Sequence, residues 1–162
     1  MVKKTVLIVD DCEIVRILAS RILAKIGLNT ILASNGLEAI EKIKLEHPDL
    51  VLLDIIMPKM NGYSVCRQIK SEPEIMNIPV VFCSSKKQEV DAYWAMKQGA
   101  NGYISKPINK SELMAIMARF NIIANVNNKY KYSDQFLYKQ GCVRILSPET
   151  ESKSNYYQLC PT

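Results

Sequence analysis

The feature that most constrains the fold is the continuous apolar run at residues 50–53 (Leu-Val-Leu-Leu), which leads directly into Asp54. Pro58 and the Asn61-Gly62 pair follow it. A short apolar run bounded by turn residues predicts a strand that is buried on both faces. In open α/β sheets, ligands bind outside the carboxyl ends of the strands, so Asp54 is a candidate site residue. A carboxylate that merely caps a helix or turn is the alternative reading of this stretch.

Runs rich in apolar and β-branched residues recur along the chain and predict strands at residues 5–9, 29–33, 50–53, 80–83 and 102–105. Helical periodicity predicts a first helix that ends at Gly27, and further helices at residues 37–46, 63–70, 86–98 and 110–123. Five strands thus alternate with five helices, and each connection is short. This alternation predicts an α/β protein with one open parallel sheet and helices on both faces.

The spacing of apolar residues also predicts which side of three helices faces the core. The predicted core-facing residues are Val15, Leu18, Ile22 and Ile26 in the first helix, Leu37, Ile40 and Ile43 in the second, and Leu113, Ile116, Met117 and Phe120 in the last.

Composition excludes several classes of function. No apolar run approaches the ~20 residues of a membrane span, and Asp10-Asp11 interrupts the first apolar run before a signal peptide could form, so we expect a cytoplasmic protein. The five cysteines form no CxxC pair and there is one histidine, which argues against a zinc site. The net charge of +5 is scattered rather than clustered, which argues against nucleic-acid binding.

Polar residues stand where four of the predicted strands end: Asp10 and Asp11 after the first, Asp54 after the third, Ser84 after the fourth and Lys106 after the fifth. In a parallel sheet these ends share one edge, so the side chains should converge. Clustered carboxylates repel unless a hard cation such as Mg²⁺ neutralises them. A carboxylate can also attack phosphorus and form an acyl phosphate. The pattern therefore predicts reversible phosphorylation of Asp54.

At these residues the sequence resembles the CheY-like receiver domain of two-component response regulators, over residues 3–124. The resemblance implies a flavodoxin-like, doubly wound, five-stranded parallel sheet of the (βα)5 type. The matching residues are Asp10-Asp11, Asp54, Met57-Pro58, Asn61-Gly62, Ser84, Gly99-Ala100, Tyr103 and Lys106-Pro107.

The resemblance also implies a metal and phosphorylation site. Asp54 would be the phosphoacceptor, and Mg²⁺ would be held by Asp10, Asp11, Asp54 and the backbone carbonyl of Ile56. The apolar side chain of Ile56 cannot position an attacking water molecule, which predicts slow loss of the phosphoryl group.

A second group of residues would form the switch. By resemblance, Ser84 would hydrogen-bond the phosphoryl group, and Tyr103 would turn inward as Ser84 moves. A purely structural role for Tyr103 in the core is the alternative. Lys106 would pair with the phosphoryl charge, and the Lys106-Pro107 peptide bond is expected to be cis.

The expected function is that of a stand-alone regulator, not an enzyme with an external substrate. A histidine kinase or phosphotransfer protein would phosphorylate it, and a protein target would bind the face formed by helix four, strand five and helix five. Residues 88–100, which include Tyr93-Trp94, are similar to regulators of type IV pilus motility and phototaxis. Whether the chain forms a homodimer is left open.

Two rival functions remain at this point. One is a transcriptional regulator that uses the C-terminal tail to bind DNA or a partner protein. The other is a phosphatase with a carboxylate nucleophile, although such enzymes generally carry a second acid at the position of Ile56.

The character of the chain changes after the predicted domain at residues 1–124. Residues 125–162 begin with a polar, turn-prone stretch and contain five of the eight tyrosines. They are too few to form a further domain by themselves. We expect a partly disordered tail.

Overall fold

One parallel sheet organises the part of the chain that the computed structural model describes, which comprises residues 3–85, 89–123, 137–139 and 142–144. Its strands are β1 (Thr5–Val9), β2 (Asn29–Ala33), β3 (Leu50–Asp54), β4 (Val80–Ser84) and β5 (Gly102–Ser105). All four pairings are parallel, and the strand order is β2-β1-β3-β4-β5. This is the flavodoxin-like order, so the predicted sheet is confirmed.

Helices cover both faces of this sheet, as predicted. They are α1 (Glu13–Ala24), α2 (Gly36–Glu46), α3 (Gly62–Ser71), α4 (Glu89–Lys97) and α5 (Lys110–Arg119). Helices α1 and α5 pack on one face through residues such as Leu23 and Leu113, and α2, α3 and α4 pack on the other through Ile43, Val65 and Ala95. None of the helices among the described residues is long and apolar enough to cross a membrane.

Strand β3 lies at the centre of the sheet and is buried on both faces. Its residues alternate between the two cores: Leu50 and Leu52 face α1 and α5, whereas Val51 and Leu53 face the opposite helices. All four side chains are at most 1% exposed. The two-sided burial predicted from the continuous apolar run is therefore confirmed.

The predicted core-facing residues are wrong at two positions. Leu18 of α1 is 55% exposed, and the helix instead buries Ala19 and Leu23. Leu37 of α2 is 60% exposed, because the helix turns Ala39 and its neighbours toward the sheet. In both helices a small residue lies at the contact, where it allows close approach to the sheet. Counting only large apolar residues misses this geometry.

The last helix is shorter than predicted. Helix α5 ends at Arg119, four residues before the predicted end. Asn121 adopts a left-handed conformation with a φ of 54°, which a continuing helix does not allow. Phe120 still packs against the core beside the buried residues Ile116 and Met117.

Two predictions fall wholly or partly on residues that the structure does not describe. The predicted start of α4 at residues 86–88 lies outside the described residues. So does most of the predicted tail, with one exception: β6 (Leu137–Lys139) and β7 (Cys142–Arg144) form a short antiparallel pair, which the sequence analysis does not foresee.

Candidate functional site

The loop between β1 and α1 carries two adjacent carboxylates. Asp10 is buried and Asp11 is exposed. The Asp10 backbone N–H donates to the carbonyl of Ala33 at 3.2 Å, which continues the pairing of β1 with β2. The Cys12 N–H donates to Oδ1 of Asp10 at 2.9 Å. The carboxylate of Asp10 is thus held by its own loop, in the manner of an Asx turn.

Asp54 is the last residue of β3, and a glycine that follows it in the chain packs against its backbone. The Gly62 N–H donates to the carbonyl of Ile55 at 2.9 Å and closes the loop after β3. A Cβ atom on Gly62 would lie 2.1 Å from the carbonyl oxygen of Asp54. Only glycine fits here, because α3 starts directly against the end of β3. Asn61, which the sequence analysis treats as a turn residue, caps this helix by accepting from the Ser64 N–H at 3.0 Å.

Lys106 brings the ends of β1, β3 and β4 together. Its backbone N–H donates to the carbonyl of Ser84 at 2.7 Å. Its ammonium group lies 2.5 Å from Oδ2 of Asp10 and 3.1 Å from Oδ1 of Asp54. The Lys106-Pro107 peptide bond is cis, as the resemblance implies.

The electrostatics of the site follow from two buried carboxylates sharing one ammonium group. Burial raises the pKa of Asp54, and the charge and hydrogen bond of Lys106 offset this only in part, while the charge of Asp10 raises the pKa further. Burial alone would lower the pKa of Lys106. The hydrogen bond to Asp10 and the charges of both carboxylates outweigh it, so this pKa is raised.

The donor set fits a hard divalent cation. Asp10, Asp11 and Asp54 each offer a carboxylate oxygen, and these oxygens lie within 4.8 Å of one another. Oxygen ligands of this kind are typical of Mg²⁺, Ca²⁺ and Mn²⁺, whereas zinc and copper sites usually include nitrogen or sulfur ligands. Three carboxylates against one ammonium also leave the cluster negative, so the residues present could hold a metal ion.

Three further predicted site residues lie in β4, in β5 and in the loop after β3. Ser84 is fully buried at the end of β4, on the strand next to Asp54. Tyr103 of β5 is 4% exposed and belongs to the same apolar cluster as Ala95 of α4. Ile56 follows β3, and its side chain is 58% exposed. The roles predicted for these residues stay predictions.

The sequence analysis misses one residue at the site. Arg16 of α1 donates from Nη1 to the carbonyl oxygen of Asp10 at 2.6 Å and to that of Asp11 at 3.1 Å. Both contacts are to backbone atoms, so no pattern of side-chain types reveals them. The spacing of five or six residues, which lets a helical side chain fold back over the preceding loop, is the one signal available.

This fold and this group of residues define a class of protein. The family model described as the response regulator receiver domain matches residues 6–118. The chain therefore belongs to the response regulator receiver domain family, and the resemblance seen in the sequence is confirmed.

Individual relatives agree with this assignment. The chain is 37% identical over 109 residues to Protein PilH of Pseudomonas aeruginosa, a match that covers 67% of this chain and 90% of PilH. It is 40% identical over 114 residues to the probable transcriptional regulator ycf27 of Cyanophora paradoxa, which covers 70% of this chain but 46% of that protein. The fold is also that of a solved structure: the chemotaxis protein CheY4 of Vibrio cholerae aligns with a TM-score of 0.70 at 24% identity, covering 74% of this chain and 99% of CheY4.

Proposed function

We propose that this chain is a signalling switch that is controlled by Mg²⁺-dependent phosphorylation of Asp54. The observation that carries the proposal is the position of Oδ1 of Asp54, 3.1 Å from the ammonium group of Lys106 and within a cluster of three carboxylates. A buried carboxylate beside a fixed cation suits a group that gains phosphoryl charge. Asp10, Asp11, Asp54 and the backbone carbonyl of Ile56 would hold the metal.

The proposed chemistry is transfer of a phosphoryl group from a phosphohistidine. A carboxylate oxygen of Asp54 attacks phosphorus and forms the P–O bond of an acyl phosphate. The P–N bond of the donor breaks, its electron pair goes to the histidine nitrogen, and the imidazole then takes up a proton from water. Bound Mg²⁺ supplies positive charge to the carboxylates and the phosphoryl oxygens. Lys106 stays in place to pair with the phosphoryl group.

A phosphotransfer protein or histidine kinase would supply this group, and no external substrate would be turned over. We include pilus motility and phototaxis in the proposal because residues 88–100 are similar to regulators of those processes, and Protein PilH is a relative of this chain. A cytoplasmic location goes with such a role. Phosphorylation would shift the equilibrium between two conformations of the domain. In the favoured conformation Ser84 would contact the phosphoryl group, and Tyr103 would turn inward as Ser84 moves.

The face formed by α4, β5 and α5 is the proposed binding surface for the downstream target. Trp94 of α4 is 54% exposed, and its ring packs edge-to-face on Tyr93 with centroids 5.9 Å apart. The ammonium group of Lys97 lies 5.4 Å from the centroid of the Tyr93 ring. An exposed tryptophan that packs on a partly buried tyrosine is typical of the residues that dominate protein interfaces.

The decisive experiment is incubation of the full chain with acetyl phosphate and Mg²⁺, read by intact-protein mass. We expect the parent to gain one phosphoryl group and the Asp54→Asn variant to gain none. Trp94 is the single tryptophan of the chain, so tryptophan fluorescence reports on α4. We expect this fluorescence to change when the parent is treated with the donor and to stay constant in the Asp54→Asn variant. No mass gain under saturating donor and Mg²⁺ would refute the proposal.

A transcriptional regulator is the second candidate function, and the similarity to the ycf27 protein favours it. The matched region covers less than half of that protein, so DNA binding would depend on residues outside the match. Electrophoretic shift assays on genomic fragments, with phosphorylated and unphosphorylated chain, distinguish the two functions. A phosphorylation-dependent shift with a defined fragment would favour the regulator.

A further inference from the structure

Arg16 makes a contact that the function described so far does not use. It belongs to α1, one turn after the helix begins, and its side chain folds back toward the loop that precedes the helix. Nη1 lies 2.6 Å from the carbonyl oxygen of Asp10 and 3.1 Å from that of Asp11. One guanidinium nitrogen therefore binds two consecutive peptide carbonyls of the acidic loop.

These two carbonyls belong to the peptide units that follow each acid. A peptide unit is planar, so fixing its carbonyl also fixes the orientation of the Cα atoms at either end. The Cys12 N–H, which donates to Oδ1 of Asp10 at 2.9 Å, belongs to the second of these units. Arg16 thus acts on the backbone, and through the backbone it sets where the carboxylates of Asp10 and Asp11 point.

We propose that Arg16 is a positioning residue that sets the Mg²⁺ affinity of the acidic cluster by holding the Asp10 and Asp11 carbonyls. The inference rests on the proposed function, because it assumes that the cluster binds Mg²⁺. Partners that orient the ligands of a metal site commonly change its affinity 10- to 100-fold when they are removed.

The charge of Arg16 and its geometry have opposite effects on cation binding, which makes the inference testable. A positive charge near the carboxylates repels Mg²⁺, so removal of the charge alone would tighten binding. Loss of the two carbonyl contacts would disorder the carboxylates and weaken binding. The sign of the change therefore reports which effect dominates.

Two variants separate these effects. Arg16→Lys keeps the charge, but the lysine side chain ends one bond short of the Nη1 position, so its ammonium group should not reach both carbonyls. Arg16→Gln removes the charge as well. Arg21→Gln is the matched control, because Arg21 is an exposed residue of the same helix and its removal changes the net charge equally.

The measurement is calorimetric titration of Mg²⁺ into the unphosphorylated full chain at fixed ionic strength, with thermal unfolding in the absence of metal as the test of folding. We expect Arg16→Lys to weaken binding by about tenfold. Arg16→Gln should weaken it less, because loss of the charge partly offsets loss of the contacts, and Arg21→Gln should stay within about twofold of the parent. In metal-free protein, the Asp11 and Cys12 amide resonances should shift in both Arg16 variants only.

The outcomes are distinct. A parent that binds Mg²⁺ and an Arg16→Lys variant that binds it equally well overturn the inference alone. Tighter binding by Arg16→Gln also overturns it, because charge would then dominate. A parent that binds no Mg²⁺ refutes the proposed function and the inference together. If Arg16→Lys does not fold, the Mg²⁺ affinity of Arg16→Gln decides: weaker binding than in the parent supports the inference, and binding that is not weaker overturns it.

Discussion

Replacing Gly62 with alanine tests the argument that close packing of α3 against β3 positions Asp54. The added Cβ would lie 2.1 Å from the Asp54 carbonyl oxygen, 2.9 Å from the Ile55 Cα and 3.0 Å from the Asp54 carbonyl carbon. All three are backbone atoms, so no side chain can rotate away to make room. The start of α3 and the end of β3 must therefore separate.

The magnitude follows from two opposing effects. Forcing a methyl group into a packed site typically costs about 1–3 kcal/mol, and the contacts with backbone atoms place Gly62→Ala at the upper end, about 3 kcal/mol. Alanine favours the helix over glycine by about 1 kcal/mol. The net loss is about 2 kcal/mol in the free energy of unfolding, or about 8 °C in Tm. A shift of about 1 Å in a reacting group can slow a reaction about 100-fold, so phosphorylation by acetyl phosphate should slow to a similar degree.

Gly27→Ala is the matched control. Gly27 has a φ of 84°, and nothing lies within 4 Å of its added Cβ, so the change strains the backbone without a clash. It should cost about 1 kcal/mol or more of stability. Gly27 precedes β2 and so lies at the amino ends of the strands, whereas Asp54 lies at their carboxyl ends. The phosphorylation rate should therefore not change. A Gly62→Ala variant within about 0.5 kcal/mol of the parent, phosphorylated at the parent rate, would refute the reasoning.

Two further predictions test an ion pair and the loop after β3. The hydrogen bond from Lys42, together with those from Ser34, lowers the pKa of Glu38 to about 2. Its carboxylate should stabilise the fold above about pH 4.5 and lose this effect as the pH falls toward 2. Glu38→Gln should therefore lower the free energy of unfolding by about 1 kcal/mol at pH 7 and by almost nothing at pH 2, as measured by urea unfolding. An equal loss at both pH values would contradict this prediction. The acyl phosphate of the parent should persist for minutes or longer, whereas Ile56→Asn, which can orient a water molecule, should shorten its half-life roughly tenfold. An acyl phosphate half-life of seconds in the parent would count against the argument that the apolar side chain of Ile56 slows loss of the phosphoryl group.

The strands and the gathering of the acids could be predicted because both depend on local patterns and on topology. Each strand is a short apolar run with polar or turn residues at its ends. The alternation with helices fixes a parallel sheet, and a parallel sheet places the residues after β1, β3, β4 and β5 at one edge. Asp10, Asp54 and Lys106 meet there because of where they stand relative to the strands.

The remaining features depend on contacts with backbone atoms or on close packing of small residues, neither of which leaves a pattern of residue types. Gly62 looks like half of an Asn-Gly turn, yet it is needed because the backbone of Asp54 passes too close for any side chain. Arg16 looks like an ordinary charged residue on a helix surface, yet it binds two carbonyls. Ala19 looks too small to mark a core face, yet α1 buries it because its size lets the helix approach the sheet.

The charge balance among Asp10, Asp54 and Lys106 goes beyond what the fold alone requires. Buried charges are ordinarily paired, and here Asp10 and Asp54 share the single ammonium group of Lys106. The raised pKa of Asp54 shows that this sharing does not fully compensate burial. Apolar residues at these positions would serve the core better, as they do on either side in β3 and β4. The remaining negative charge is one that a cation could balance, in keeping with three carboxylates whose oxygens lie close enough together to hold a metal ion.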